Sequence, residues 1–454
     1  MPPTGRVLTT RYSIVSVERL TMALLARLWS LRKRRPGFVA TSILTLLLLF
    51  GYPAVESAVR SAGLAQQWNY QDFTVYTGAV EAWQSGEPIY VPNDDGGFWG
   101  RYLYPPIFLA LFRPFAALSH YDAGLAWGVL SVGLLWVALQ LVVAQLGARL
   151  AWWERLLLLW ALIGFHPLLL SVKMGQTAGF LAALLSFALA ALLWADRTGD
   201  ELGESTAVPG RPAAYASGAL TAFVGTFKLA YAPVGAHLLA DRDRFVGAVA
   251  AGVGLLGLSV AVFGVETHLA YLDVLAWGVE RGGGGERVPK PSLWLPPYYR
   301  QLHWLPGALA IRLGIAVVVS LAALLARDAD RSVFALGVAT FLLITPLPYA
   351  YYFVAALPAV VASLAVELEL DLSGGATGYP TAPVVVALLL HVHSYGLRFL
   401  GEYVPKLVGE IPDLAYPLLQ PGLWGVVLFF GLTLYRVGRA VAVPDALADL
   451  LPVQ

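Results

Sequence analysis

The feature that most constrains this chain is its division into long runs that contain no Asp, Glu, Lys or Arg. Six such runs are Phe38–Val55, Ala123–Gly147, Leu156–Val172, Gln176–Ala195, Phe245–Val265 and Leu414–Tyr435. Each is close to the roughly 20 apolar residues that carry a helix across the hydrocarbon core of a bilayer. A seventh, Ser332–Val366, is too long for one crossing, and Pro346 and Pro348 interrupt it, which predicts two helices meeting at a bend. Of the 454 residues, 58% are hydrophobic and 13% charged. A soluble domain, with about 25% charged residues, could not hide that much apolar surface. Helices are the expected spanning element because lipid leaves no partner for open backbone groups. The expectation is an all-α polytopic membrane protein with about ten to twelve crossings.

Basic residues orient the chain. Val17, Leu20, Leu24, Leu28 and Leu31 form one helical stripe beside basic residues, as in a helix lying on a membrane surface. The run Arg32-Lys33-Arg34-Arg35 then precedes the first span and places residues 1–37 in the cytoplasm by the positive-inside rule. The same rule puts Arg242, Arg244, Arg327, Arg331, Arg436 and Arg439, the linker Asp196–Pro212 and the tail 441–454 on that side. Within a transmembrane domain of residues 38–440, the loops 56–103 and 265–306 and the bend Thr345–Tyr352 then face outside. Segments 104–119 and 213–240 read as short spans or re-entrant hairpins. With no cysteine in the chain, disulfides, thiolate catalysis and thiolate-bound zinc are excluded. The net charge of +1 averages over loops on two sides of a membrane, and no nucleic-acid partner is expected.

Few polar side chains stand where chemistry at a membrane surface could use them. The segment Gln71–Ser85 carries Phe73, Tyr76, Val80 and Trp83 at helical spacing and is expected to lie along the outer surface. Asp72 opens that helix as either an N-cap or a general base. Lys228, within an apolar segment, is a functional hypothesis by default, against which stands a lysine snorkelling from a helix end. Gln176 follows a glycine near the edge of an apolar run, and a polar contact between helices explains it as well as a ligand does. His391 and His393 are two apart and so point to different faces of a helix, which rules them out as a metal pair. Gly282–Gly285 lacks the Lys-Ser/Thr and helix of a phosphate-binding loop. The 14 Trp and 21 Tyr are largely what interface belts require.

Several short motifs occur in order: Asp72-Phe-Thr-Val-Tyr76, Ser85-Gly-Glu-Pro-Ile-Tyr90, Arg101-Tyr-Leu-Tyr-Pro-Pro-Ile-Phe108, Gly175-Gln176, Thr226-Phe-Lys228 and Thr345-Pro-Leu-Pro-Tyr349. Together they resemble glycosyltransferase family 87, the polyprenyl-phosphate-mannose-dependent mannosyltransferases of the GT-C superfamily, over residues 38–365. The resemblance implies a cell-membrane enzyme with its active site on the extracytoplasmic side. The implied donor is a polyprenyl-phosphate-linked hexose and the implied acceptor a hydroxyl on a lipid or glycan, with no cofactor and no metal. Asp72 would be the catalytic base. Lys228, Gln176 and Arg300 would bind the donor's phosphate or sugar, and Tyr76, Tyr102 and Tyr104 would line the site. Where the family often has a Ser-Pro-x-Ser-Trp stretch followed by histidines, this chain has Tyr349-Ala-Tyr351-Tyr352. Tyr351 and Tyr352 would still bind the donor, since tyrosines can hydrogen-bond a phosphate or stack on a sugar, but they bring no positive charge; Arg300, or His303 lining the site, would compensate. The competing readings are a secondary transporter, which internal repeats and charged broken helices would favour, and a non-catalytic lipid-binding membrane protein.

Overall fold

A computed structural model describes residues 24–63, 67–94, 96–202, 210–281, 307–326, 329–346, 349–372, 381–390 and 421–441. Helices α1 (Leu24–Ser30), α2 (Pro36–Ser61) and α3 (Phe73–Ser85) come first. Short helical turns at Pro106–Phe115 lead into α4 (His120–Gln145), α5 (Trp152–Ile163), α6 (His166–Met174) and α7 (Ala178–Leu202). Next come α8 (Arg211–Phe227), a 3-10 segment (Leu229–Ala240), α9 (Arg242–Arg281), α10 (Ala308–Leu325) and α11 (Asp330–Ile344). A 3-10 turn at Ala350–Ala355 leads into α12 (Ala356–Leu372), followed by α13 (Thr381–Leu389) and α14 (Pro421–Ala440). No β-strand occurs among the described residues, and the chain is an all-α polytopic membrane protein.

Seven described helices are long and apolar enough to cross a bilayer, or eight if a bent pair counts as one span. Among the described residues several further apolar elements are too short to count, among them Pro106–Phe115, the 3-10 segment at Leu229–Ala240, and α11 with its 15 residues. Segment 213–240 divides at Lys228 into α8 and that 3-10 segment rather than forming one span.

Three sequence expectations are corrected. Leu156–Val172 is not one continuous helix: it breaks between α5 and α6 with a bend of 67°. Pro167 opens α6 without a backbone donor. Gly164 at the bend lies so close to α2 that an added Cβ would come within 1.8 Å of the Leu49 carbonyl oxygen. Second, residues 265–281, expected as loop, are helical, because α9 turns at Gly264 (φ 75°, ψ 165°) and continues to Arg281. Gly282–Gly285 and the rest of that loop lie outside the described residues. Third, the apolar stripe of α3 does not lie against lipid: Phe73, Tyr76 and Val80 are buried, and Trp83 packs on Phe263 at 4.7 Å between ring centroids. The aromatics that return from 106–115 and from α4 offer that stripe a protein surface instead. Span Ala308–Leu325 was absent from the uncharged runs because Arg312 interrupts it, and that arginine is buried.

Burial grades across the bundle. The most apolar window of α7 is 72% buried, that of α9 only 17%, so α7 is core and α9 presents its apolar surface outward, as a lipid-facing helix does. The two ends of the bundle differ in chemistry. At one end, where α2 starts and α12 and α14 finish, an Arg35 guanidinium nitrogen donates to the Glu367 carbonyl at 3.2 Å and Arg436 pairs with the Glu367 carboxylate at 3.1 Å. Arg244 pairs with Asp330 at the start of α11, which packs against α12. At the other end lie the last turn of α2, α3, the α6–α7 junction, the α8 terminus and the α11–α12 bend.

Candidate active site

The backbone around Asp72 is strung on the open end of α6. A helix leaves its last carbonyls without internal partners. Here the Lys173 carbonyl accepts the Tyr70 N–H and the Met174 carbonyl accepts the Asp72 N–H, both at 2.9 Å. Tyr70 adopts φ 46°, a left-handed conformation unusual for a tyrosine, and its carbonyl takes the Phe73 N–H at 2.8 Å. Two glycines make room. Gly175 closes α6 at φ 73°, where a Cβ would approach Phe73 Cβ to 2.6 Å; at Gly124 a Cβ would fall 2.3 Å from the Tyr70 ring.

With its backbone so held, Asp72 occupies the N-cap position of α3 yet makes no side-chain cap bond. Its carboxylate instead accepts from the Gln176 side-chain amide at 2.5 Å. The amide oxygen of Gln176 accepts from the Tyr76 hydroxyl at 3.4 Å, which fixes which end of the amide meets Asp72. Tyr76 in turn lies 3.4 Å from the Tyr104 hydroxyl, and the Lys228 ammonium donates to that hydroxyl at 3.3 Å. One polar chain therefore runs from the carboxylate through Gln176, Tyr76 and Tyr104 to the lysine. Asp72 and Lys228 are both half-buried, whereas Gln176, Tyr76 and Tyr104 are buried. Burial pushes the Asp72 carboxyl above its usual range, opposed by the Gln176 hydrogen bond and the Lys228 charge. Burial likewise raises the Tyr76 hydroxyl, reinforced by Tyr104, so Tyr76 stays neutral and remains a donor.

Lys228 ends α8 in an extended conformation (φ −144°, ψ 100°), which turns its side chain out of the helix it closes. Its ammonium lies 4.1 Å from the ring centroid of Tyr352 and 5.3 Å from that of Tyr104. Among the described residues no carboxylate lies within ion-pair distance of it. Tyr352 thus faces the lysine with its ring. Tyr351 stacks on Tyr349 with centroids 5.1 Å apart. Tyr102 packs edge-on to Tyr76 and Tyr104, and its hydroxyl donates to the Pro105 carbonyl at 3.1 Å.

Seven of the residues singled out from the sequence therefore meet at one end of the bundle: Asp72, Tyr76, Tyr104, Gln176, Lys228, Tyr351 and Tyr352. Tyr102 packs beside them. Arg300, His303, His391 and His393 lie outside the described residues. No three His, Asp or Glu side chains gather as metal ligands among the described residues. Sequence reasoning passed over Trp127, whose indole N–H holds the Gln176 carbonyl at 3.1 Å, because an interface belt accounts for a tryptophan in an apolar run. It also passed over Tyr271, which packs on Tyr90 from the helical part of 265–281.

The comparisons add one match. The family model for glycosyltransferase family 87 matches residues 102–346, a range that includes Tyr102, Tyr104, Gln176 and Lys228 and leaves Asp72, Tyr76, Tyr351 and Tyr352 outside it. No curated protein and no solved structure matches the chain. With more than half of its length matched by that model, on a polytopic helical membrane scaffold, this chain belongs to glycosyltransferase family 87 and is a membrane glycosyltransferase.

Proposed function

We propose that the chain transfers a hexose, mannose by family resemblance, from a polyprenyl-phosphate donor to a hydroxyl of a lipid or glycan on the extracytoplasmic side. Asp72 takes the proton of the acceptor hydroxyl, whose oxygen attacks the anomeric carbon. The bond from that carbon to the phosphate oxygen breaks, and its electron pair leaves with the polyprenyl phosphate. Attack opposite the leaving group inverts configuration, so a β-linked donor gives an α-glycoside. Phosphate is a weakly basic leaving group and needs no general acid, unlike the leaving sugar in glycoside hydrolysis.

The observation that carries the reading is the polar chain between Asp72 and Lys228. A carboxylate that caps its helix is engaged; this one has no cap bond and is held by an amide that favours its ionised form. At the other end stands a cation that faces aromatic rings and, among the described residues, pairs with no carboxylate, which suits it to the charge that grows on the departing phosphate. Tyr351 and Tyr352 then act by supporting the donor pocket, with Tyr352 under the lysine. Arg300 and His303 keep their assignment to the donor side from the sequence alone. The extracytoplasmic side is supported by the position of Arg35, Arg244 and Arg436 at the opposite end of the bundle. Family membership sets aside the secondary transporter and the non-catalytic lipid binder.

The test is transfer in reconstituted vesicles containing membrane lipid extract, with β-mannosyl-phosphoryl-polyprenol or a nucleotide-linked mannose as donor. The lipid-linked donor alone should be consumed, and the product linkage, read by NMR, should be α. Consumption of the nucleotide sugar alone, or a β product, would reject the assignment.

A further inference from the structure

Away from the reacting groups, α2 and α6 are joined by a buried ion pair that the reaction above does not use. Glu56 lies near the end of α2 and Lys173 in the last turn of α6; their side chains are 6% and 1% exposed and directly paired. Earlier on both helices the Tyr52 hydroxyl and His166 Nδ1 make a second polar link, at 2.6 Å, between α2 and α6. The second carboxylate oxygen of Glu56 is buried and has no hydrogen-bond partner among the described residues. A buried pair of this kind is a poor source of stability, because desolvation offsets much of the Coulomb attraction. Charges inside a membrane domain are costly enough to be read as functional unless another account is at hand.

We infer that Glu56 and Lys173 are positioning residues for Asp72. The carbonyls of Lys173 and Met174 receive the N–H groups of Tyr70 and Asp72, so the end of α6 is the rail on which the base's backbone hangs. Gln176, the partner of the carboxylate, follows Lys173 by three residues through the Gly175 turn. Both halves of the Asp72–Gln176 contact are thus referred to one short helix of nine residues, set off from α5 by a sharp bend. The ion pair ties that helix to α2. The left-handed Tyr70 needs such support, since strained backbone persists only where its surroundings over-determine it.

The inference rests on Asp72 as the base, and its test separates the two ideas. Removing one charge alone would strand the other, so the variant of choice is the double replacement Glu56→Leu with Lys173→Met, which strands neither charge and should fold at least as well as the parent. Hydrogen exchange in detergent reads the positioning directly. The Tyr70 and Asp72 amides, protected in the parent, should exchange at least about tenfold faster in the double variant, with the core of α7 unchanged. In the transfer assay kcat should fall roughly 10- to 100-fold, while the donor KM changes less than about twofold. Unchanged exchange at those two amides overturns the inference whether or not the protein transfers sugar. Faster exchange with unchanged kcat overturns its catalytic part. Faster exchange in the double variant, where the parent itself shows no transfer, upholds the positioning and rejects the assigned reaction.

Discussion

The side-chain amide of Gln176 donates to the carboxylate of Asp72 although the two residues are 104 positions apart in the chain. Neither can turn freely: the Tyr76 hydroxyl occupies the amide's other end, and the Asp72 N–H is tied to the Met174 carbonyl. The carboxylate is therefore both oriented and electrostatically tuned by a residue that does not itself need to touch substrate.

That tuning has a sign. The Gln176 bond lowers the Asp72 pKa against the rise that burial imposes. Gln176→Leu removes the bond, so the carboxyl holds its proton to higher pH. With Asp72 as the proposed base, which must be ionised, the acidic limb of the rate profile should move to higher pH, and the plateau should drop about 10- to 150-fold, as losing a hydrogen bond to a charged group costs about 1.5–3 kcal/mol. A pH profile of kcat measures both effects.

Stability should answer oppositely to activity at Asp72. A carboxyl whose folded-state pKa is raised binds its proton more tightly folded than unfolded, so its contribution to stability falls as pH rises from the unfolded value towards the folded one. Above that window the ionised group is a net cost. Asp72→Asn should melt at the same temperature as the parent or higher near neutral pH, and the parent should gain on the variant on acidification. Thermal unfolding in detergent at neutral and acid pH checks the order.

Tyr352 offers Lys228 a ring 4.1 Å away. If the ring is what matters, Tyr352→Phe keeps the donor KM within about twofold, whereas Tyr352→Leu raises it about 2- to 30-fold, matching the ~0.5–2 kcal/mol of a cation–π contact. A steep loss in Tyr352→Phe would instead assign the hydroxyl to the donor phosphate.

Gly175 needs to be glycine for two reasons, its φ of 73° and the 2.6 Å that a Cβ would leave to Phe73. Gly175→Ala should destabilise the protein by about 2–4 kcal/mol and speed exchange at the Asp72 amide. A melting curve together with amide exchange reads it.

Much of the fold was legible because bilayer thickness and the absence of charge are one-dimensional signals. The runs beginning at Phe38, Ala123 and Gln176 became α2, α4 and α7 with shifted ends. The break in Leu156–Val172 was not legible, since what bars a side chain at Gly164 is the Leu49 carbonyl of another helix. The candidate site was visible as residue types: Asp72, Gln176 and Lys228 are polar groups at the margins of apolar segments. Their connection was not visible, because it depends on a left-handed Tyr70 and on the open carbonyls of α6. The Glu56–Lys173 pair left one trace in the sequence, the lysine that ends an apolar run at Val172, but nothing local says which acid it meets.

The central claim is that the Asp72 carboxylate accepts the acceptor's proton. The direct measurement is the rate of hexose transfer from polyprenyl phosphate in vesicles by the parent protein and by Asp72→Asn, at equal amounts of folded protein. The account predicts transfer by the parent and a rate at least about 100-fold lower for the variant, in the range expected for loss of a general base. Equal rates from the two proteins would contradict it.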